Sequence, residues 1–196
     1  MATTAAGTPY VEASDLVAGY PAVSLSLANH IDGLDGGKVL QVVSAANTST
    51  FGMASETFTD ITSLTVTTAA LASTGSRVKI TVSLGQVSAN RNVGSTVAFR
   101  LIRDATPIGI GAAEGSRLQV SFIVHTDPED NVNFAAGGFS FIFVDSPSTT
   151  STVVYKLQMA TENGAQGYIN RNYQNTNGSQ IRDARTASTI TVEEIA

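Results

Sequence analysis

From residue 38 to the C-terminus, apolar and polar residues alternate in short runs, which is the pattern of β-strands that bury one face. The clearest case is residues 78–84, where the alternation is unbroken. Further runs lie at residues 39–43, 58–66, 97–102, 108–110, 118–124, 139–144, 153–159 and 186–195. Turn-forming residues separate them, and residues 103–107 are typical of a hairpin turn. This pattern predicts an all-β jelly roll or β-sandwich.

The first 37 residues follow a different pattern. A helix is predicted to begin at Tyr20 and Pro21, since proline suits the first helical position. Val23, Leu27, Ile31 and Leu34 then recur at helical spacing. The alternative is a strand over residues 23–27, which also alternate; the longer helical spacing favours the helix. A glycine-rich hinge at residues 32–37 follows, so we expect an N-terminal segment, 1–37, and a main domain, 38–196.

Composition excludes several classes of protein. The chain has no cysteine, which rules out disulfides and thiolate metal sites. Its net charge is −5 with only 11 Lys and Arg residues, so we expect no nucleic-acid partner. No apolar run approaches the roughly 20 residues of a membrane span, and the N-terminus lacks the features of a signal peptide. We therefore expect a protein made in the cytoplasm, without a membrane partner.

Candidate catalytic residues are sparse. The two histidines are His30 and His125. Residues 125–130 are interpreted either as an acidic metal loop or, preferably, as a polar turn, because no second histidine offers a transition-metal pair. Residues 109–114 begin like a dinucleotide fingerprint but have Glu114 where glycine is needed. We expect no enzyme activity, no cofactor and no metal.

Aromatic and cationic residues gather near the C-terminus. One hypothesis is that Tyr168, Arg171, Tyr173 and Arg182 form a polar outer face that binds sugars, together with Arg185 and nearby asparagines, among them Asn170, Asn172, Asn175 and Asn177. The preferred interpretation is a long surface loop with a few arginine–carboxylate pairs.

The main domain resembles the β-jelly-roll domains of structural proteins of tailed bacteriophages, especially phages of aquatic bacteria. The similarity is carried by the order and spacing of residues 38–43, 101–104, 111, 115–117, 145–147, 155–158, 168–171, 185–192 and 194–195. Residues 9–17 and 20–28 are similar to N-terminal segments of phage fibre-like proteins. The resemblance covers nearly the whole chain and supplies no catalytic residues.

The resemblance implies a homotrimer located in the virion, made in a bacterial host, with the jelly roll displayed outward. The leading hypothesis is a non-enzymatic short tail fibre or fibre-like appendage. A trimeric capsid decoration protein is the alternative, and a carbohydrate-active depolymerase domain is less favoured. Another virion protein, of the tail or the capsid, would bind the N-terminal segment, and host surface carbohydrate is a further candidate partner. The predicted attachment residues are Tyr10, Leu16, Tyr20, Val23, Leu27 and Ile31.

The low charge density of two strands suggests how such a trimer would form. Residues 139–144 and 190–192 are predicted to be apolar on both faces, more than one isolated sandwich needs. We therefore expect one sheet of each subunit to line the threefold axis, because symmetric closure buries such surface.

Overall fold

The computed structural model describes residues 2–3, 9–10, 24–27, 37–89, 96–125 and 137–196. The chain divides into two compact units, Met1–Lys38 with Ala196, and Val39–Ile195. In the first unit, strands β1 (Ala2–Thr3) and β2 (Pro9–Tyr10) pair antiparallel. Residues 24–27 are helical, so the choice of helix over strand is confirmed for these four residues. The remainder of the predicted helix and most of the hinge lie outside the described residues.

The second unit is built from strands and short turns. Its strands are β3 (Val39–Asn47), β4 (Phe51–Met53), β5 (Thr59–Thr67), β6 (Arg77–Ala89), β7 (Thr96–Arg103), β8 (Thr106–Ile108), β9 (Phe122–His125), β10 (Gly137–Asp145), β11 (Val154–Thr161), β12 (Gly167–Ile169) and β13 (Ser188–Ile195). Two 3₁₀ turns, Glu162–Gly164 and Ile181–Asp183, lie between β11 and β13.

These strands form two antiparallel sheets. In the first sheet the long strands follow the order β3-β13-β6-β10. The short strand β12 pairs with the C-terminal residues of β6, Val87–Ala89, and β4 pairs with β12. In the second sheet the order is β5-β11-β7-β9, with β8 beside the C-terminal half of β7. Along the chain these eight strands change sheet at every step except from β7 to β9, which are neighbours in the second sheet, and this is the jelly-roll order. The predicted all-β sandwich is confirmed.

The C-terminal ends of β3, β6, β9 and β11 and the N-terminal ends of β7, β10 and β13 lie at one end of the sandwich. This follows from the cross-strand pairs Asn47–Ser188, Val87–Gly137, Thr96–His125 and Thr161–Val97. We call this end the loop end. The core lies between the sheets and is built from the inward residues of each strand, including Ile80, Val82, Phe99, Leu101, Tyr155, Leu157, Met159, Ile190 and Val192, all fully buried.

One strand prediction is wrong in part, and one turn is shorter than predicted. Residues 118–121, expected to open a strand, precede β9 instead, because the C-terminal half of β7 already pairs with β8 (Leu101 opposite Ile108). Side-chain bonds hold this segment beside β7: the Ser121 hydroxyl accepts from the Leu101 amide at 2.9 Å. The predicted hairpin turn is confirmed but is tighter than expected, since Thr106 and Pro107 belong to β8. The strands β4 and β12 were not predicted, because each has only three residues.

Candidate functional site

Strand β12 carries the first residue of the predicted binding face to the loop end. Tyr168 stands opposite Gly52 of β4, and its ring lies over that glycine so closely that a Cβ there would collide with ring carbon Cδ1. A glycine at this point in the strand therefore has a packing role. Gly52 is one of the residues that sequence reasoning missed.

Asn170 directs the chain out of β12. Its backbone is left-handed, with a φ of 65°, and its side chain is fully buried. The Nδ2 amide donates to the carbonyl oxygens of Asn47, at 2.7 Å, and Ser49, at 2.8 Å, while Oδ1 accepts from the Ser188 hydroxyl at 2.6 Å. Asparagine tolerates this conformation better than most residues. One side chain thus joins β3, the β3–β4 turn and β13.

Arg171 stacks on the ring that precedes it. Its Cζ lies 3.4 Å from the centroid of the Tyr168 ring, within range of a cation–π interaction. The Nη1 group also donates to the carbonyl oxygen of Tyr173 at 3.2 Å. The rings of Tyr168 and Tyr173 lie 6.0 Å apart at an angle of 48°. The structure therefore brings three of the four predicted residues together, and Arg171 has no ion pair with a carboxylate in the described part of the chain.

Arg182, the fourth residue, lies exposed in the 3₁₀ turn Ile181–Asp183. Its carbonyl oxygen accepts a hydrogen bond from the Nδ2 amide of Asn172, which is buried. Asn170 and Asn172 therefore anchor the loop from inside and are not part of an outer face, which corrects that part of the prediction. Sugar binding by Tyr168, Arg171, Tyr173 and Arg182 stays a prediction.

The predicted attachment residues fall mostly outside the described chain. Tyr10 belongs to β2, and Leu27 ends the helical residues 24–27 with a partly exposed side chain. Leu16, Tyr20, Val23 and Ile31 lie outside the described residues, as do residues 126–130 of the proposed polar turn. His125 ends β9, with Nδ1 3.1 Å from the Thr96 hydroxyl.

Two buried carboxylates, both missed from the sequence, stabilise the end opposite the loop end. Asp145 accepts from Arg103 Nη1 at 2.9 Å and from the Tyr155 hydroxyl at 2.8 Å. Burial, reinforced by the bond to Asp145, raises the pKa of Tyr155 far above its usual value. Each of these residues belongs to a strand and has its partners satisfied, which is typical of a structural network.

Glu194 is the second of these carboxylates. Burial alone would raise its pKa, but hydrogen bonds from Gln41, at 2.6 Å, from the Ala72 amide, at 2.7 Å, and from Ser76 outweigh this effect and lower it. Its charge is thus stabilised by hydrogen bonds, as expected for a buried ion. Within the described ranges no group of three acidic or histidine residues is arranged to hold a metal ion, and no helix is long and apolar enough to cross a membrane.

The outer face of the first sheet is polar in the middle and apolar at both edges. The central strands present Thr81 and Thr191 and an ion pair, Lys79 to Glu193, at 2.6 Å. The edge strands present aliphatic residues, namely Leu40 and Val42 on β3 and Ile142 and Val144 on β10, which we call the apolar edge strips. Val42 is 60% exposed and Ile142 is 59% exposed.

The expected apolar surface is therefore confirmed for β10 and wrong for β13. Ile190 and Val192 are fully buried in the chain's own core, and the outward residues between them and beside them are polar. The reason is that β13 is a central strand with strict alternation, whereas β10 has aromatic residues inward and Ile142 and Val144 outward.

No protein-family model matches the chain, and no curated protein does. Solved structures similar to it include T=1 particles derived from infectious bursal virus (9% identity, TM-score 0.38, 80% of this chain and 36% of that one). Another is a subviral particle of VP2 from infectious bursal disease virus (10%, 0.36, 80% and 37%). A third is dimeric latent PorU from Porphyromonas gingivalis (9%, 0.37, 82% and 14%). The chain thus spans well under half the length of each of these structures. The strand order of the two sheets by itself defines the jelly roll.

Proposed function

We propose that this chain is a non-enzymatic structural protein of a tailed-phage virion, a homotrimeric short fibre or fibre-like appendage attached by residues 1–37. The observation that carries the proposal is the pair of apolar edge strips on one sheet of a jelly roll. Each edge of a sheet carries unpaired backbone groups, and in this chain each edge also carries exposed aliphatic side chains. Association with further copies covers the backbone groups and the side chains together.

The distribution of charge supports the same proposal. Only 14% of the residues are charged, and the most buried carboxylates are fully hydrogen-bonded within the domain. A subunit of this kind depends little on ionic strength for its fold, because most of its stability comes from apolar burial and backbone pairing. That independence suits a particle exposed to changing media.

The decisive experiment locates the chain in intact particles. Antibody labelling and cryo-electron microscopy should find it in a few copies on the tail. Hundreds of copies on the head would replace the fibre hypothesis with the capsid decoration hypothesis. Absence from the particle would refute both.

The proposed trimer contact has its own test. The double variant Val42→Asp, Ile142→Asp should sediment as a monomer at micromolar concentration, because both apolar edge strips then carry charge. The matched control is Thr62→Asp, Thr67→Asp, which adds the same charge at exposed positions of β5 in the second sheet. A wild-type chain that is monomeric at this concentration would contradict the proposed assembly.

Attachment is tested on the full chain. Leu27→Asp combined with Ile31→Asp should abolish incorporation into particles while leaving the far-ultraviolet circular dichroism of the jelly roll unchanged. Ser24→Asp with Ser26→Asp is the control for added charge in the same segment. Normal incorporation of the first variant would show that attachment does not depend on these apolar residues.

A further inference from the structure

A groove of about 640 Å³ opens on the outer face of the second sheet, at the loop end. Its floor is formed by Ala160, Ala98 and Ile123, which are successive cross-strand partners on β11, β7 and β9. The surface is recessed because two of these three residues are alanines, so larger neighbours stand above them. The groove is therefore a consequence of residue size at one row of the sheet.

The border of the groove is apolar on one side and acidic on another. Leu118, which is 62% exposed, and Val120 line it from the segment that precedes β9. Glu56 and Glu162 also line it, and neither carboxylate forms an ion pair with a cation in the described part of the chain. A complementary ligand would insert an aliphatic side chain and carry positive charge beside it.

The described chain itself displays such a group. Ile181 is 93% exposed, more than any other large apolar residue described, and it opens the 3₁₀ turn Ile181–Asp183. Arg182 follows it directly, and Arg185, whose Nη2 donates to the Asn175 side chain, lies three residues after Arg182. The turn is held in place, because Asn172 bonds to the Arg182 carbonyl and the Ala184 amide donates to the Ile181 carbonyl at 3.1 Å. Since Ile181 is exposed, it does not fill the groove of its own chain.

We propose that Ile181 of one copy inserts into this groove of a second copy, with Arg182 and Arg185 beside Glu56 and Glu162. The inference rests on the self-association in the proposed function and adds a second contact, which joins unlike surfaces. A contact of this type produces a closed ring or an open chain of copies. The turn lies in the connection from β12 to β13, and the groove lies beside Thr96 and Thr161 at the loop end.

Cysteine cross-linking tests the geometry directly, because the natural chain has no cysteine. We would mix a tagged Ile181→Cys variant with an untagged Ile123→Cys variant and oxidise them gently. The expected result is a disulfide-linked heterodimer, since the inserted side chain meets Ile123 within bonding distance. The control replaces Ile123→Cys by Thr62→Cys, on exposed β5 of the same sheet. Equal cross-linking in the two mixtures, or none in either, would overturn the proposal.

The contribution of Ile181 to the free energy of self-association is tested with Ile181→Asp in the otherwise natural chain. Burying one isoleucine predicts a self-association constant weaker by roughly ten- to a hundred-fold when it is lost. Ser179→Asp, at another exposed position in the same loop, should leave association unaltered. An unchanged constant for Ile181→Asp would refute the inference; if a different virion protein occupies the groove, both experiments give this negative result.

The virion function and the Ile181 contact can be refuted separately. If the chain is found in virions as a trimer but neither Ile181 experiment has an effect, only the contact proposed here is wrong. If the cross-link forms in solution but the chain is absent from particles, the contact stands and the virion function is wrong.

Discussion

Asn170 offers the most demanding test of how the loop end is built. In Asn170→Ala the carbonyls of Asn47 and Ser49 and the hydroxyl of Ser188 lose their partner. At about 1 kcal/mol for each hydrogen bond, the loss is about 3 kcal/mol. Alanine must also adopt a φ of 65°, which costs about 1 kcal/mol more. We expect the free energy of unfolding to fall by about 4 kcal/mol in total.

Asn170→Gly is the matched variant, because glycine loses the same hydrogen bonds but accepts the left-handed backbone. It should be about 1 kcal/mol more stable than Asn170→Ala. Urea unfolding, followed by far-ultraviolet circular dichroism, measures both differences. The near-ultraviolet signal, which comes from tyrosine and phenylalanine in a chain without tryptophan, should report loss of the Tyr168 stack. Equal stability of the two variants would refute the argument from backbone strain, and a loss below about 1.5 kcal/mol in both would refute the hydrogen-bond accounting.

Three further predictions concern single side chains. Because the pKa of Glu194 is lowered in the folded state, its charge stabilises the fold above its ordinary pKa of 4.5, and this stabilisation is lost as the pH falls through the folded value. In denaturant titrations, the difference in unfolding free energy between the natural chain and Glu194→Gln should therefore shrink below about pH 4.5. A difference that does not change with pH would contradict this. Tyr155→Phe removes one buried hydrogen bond to Asp145 and should lower the free energy of unfolding, measured by thermal unfolding, by about 1–3 kcal/mol. An unchanged free energy of unfolding would show that the hydroxyl does not contribute. Gly52→Ala should displace the Tyr168 ring and weaken the near-ultraviolet tyrosine signal. Gly111→Ala is the control and should leave this signal unchanged, because no atom lies within 4 Å of a Cβ added there.

The buried polar residues show where prediction from the sequence failed. Asn170 and Asn172 were placed on an outer face because asparagines are usually exposed. Their burial depends on carbonyl groups more than a hundred residues away in the chain for Asn170, and ten residues away for Asn172. Glu194 likewise follows a second glutamate, Glu193, and residue type alone does not distinguish the half-buried ion pair of Glu193 with Lys79 from the buried hydrogen-bonded carboxylate. The alternation of inward and outward residues along β13 does assign Glu193 and Glu194 to opposite faces of the sheet, and this is the pattern from which the buried carboxylate could have been predicted.

By itself, the sequence determined that the main domain is made of strands. For a strand with unbroken alternation, such as β6, it also determined which face is buried, because a period of two in apolar residues leaves one face for water and one for the core. It also determined a short helical stretch near Leu27 and the absence of thiol chemistry. Only the tertiary structure decided the jelly-roll order of the strands, since pairing is set by contacts between distant segments. The same long-range contacts decide that the apolar edge strips lie on β3 and β10 and that a recess forms over Ala98 and Ala160. Each of these features depends on which strand becomes a neighbour rather than on the residues along any one strand.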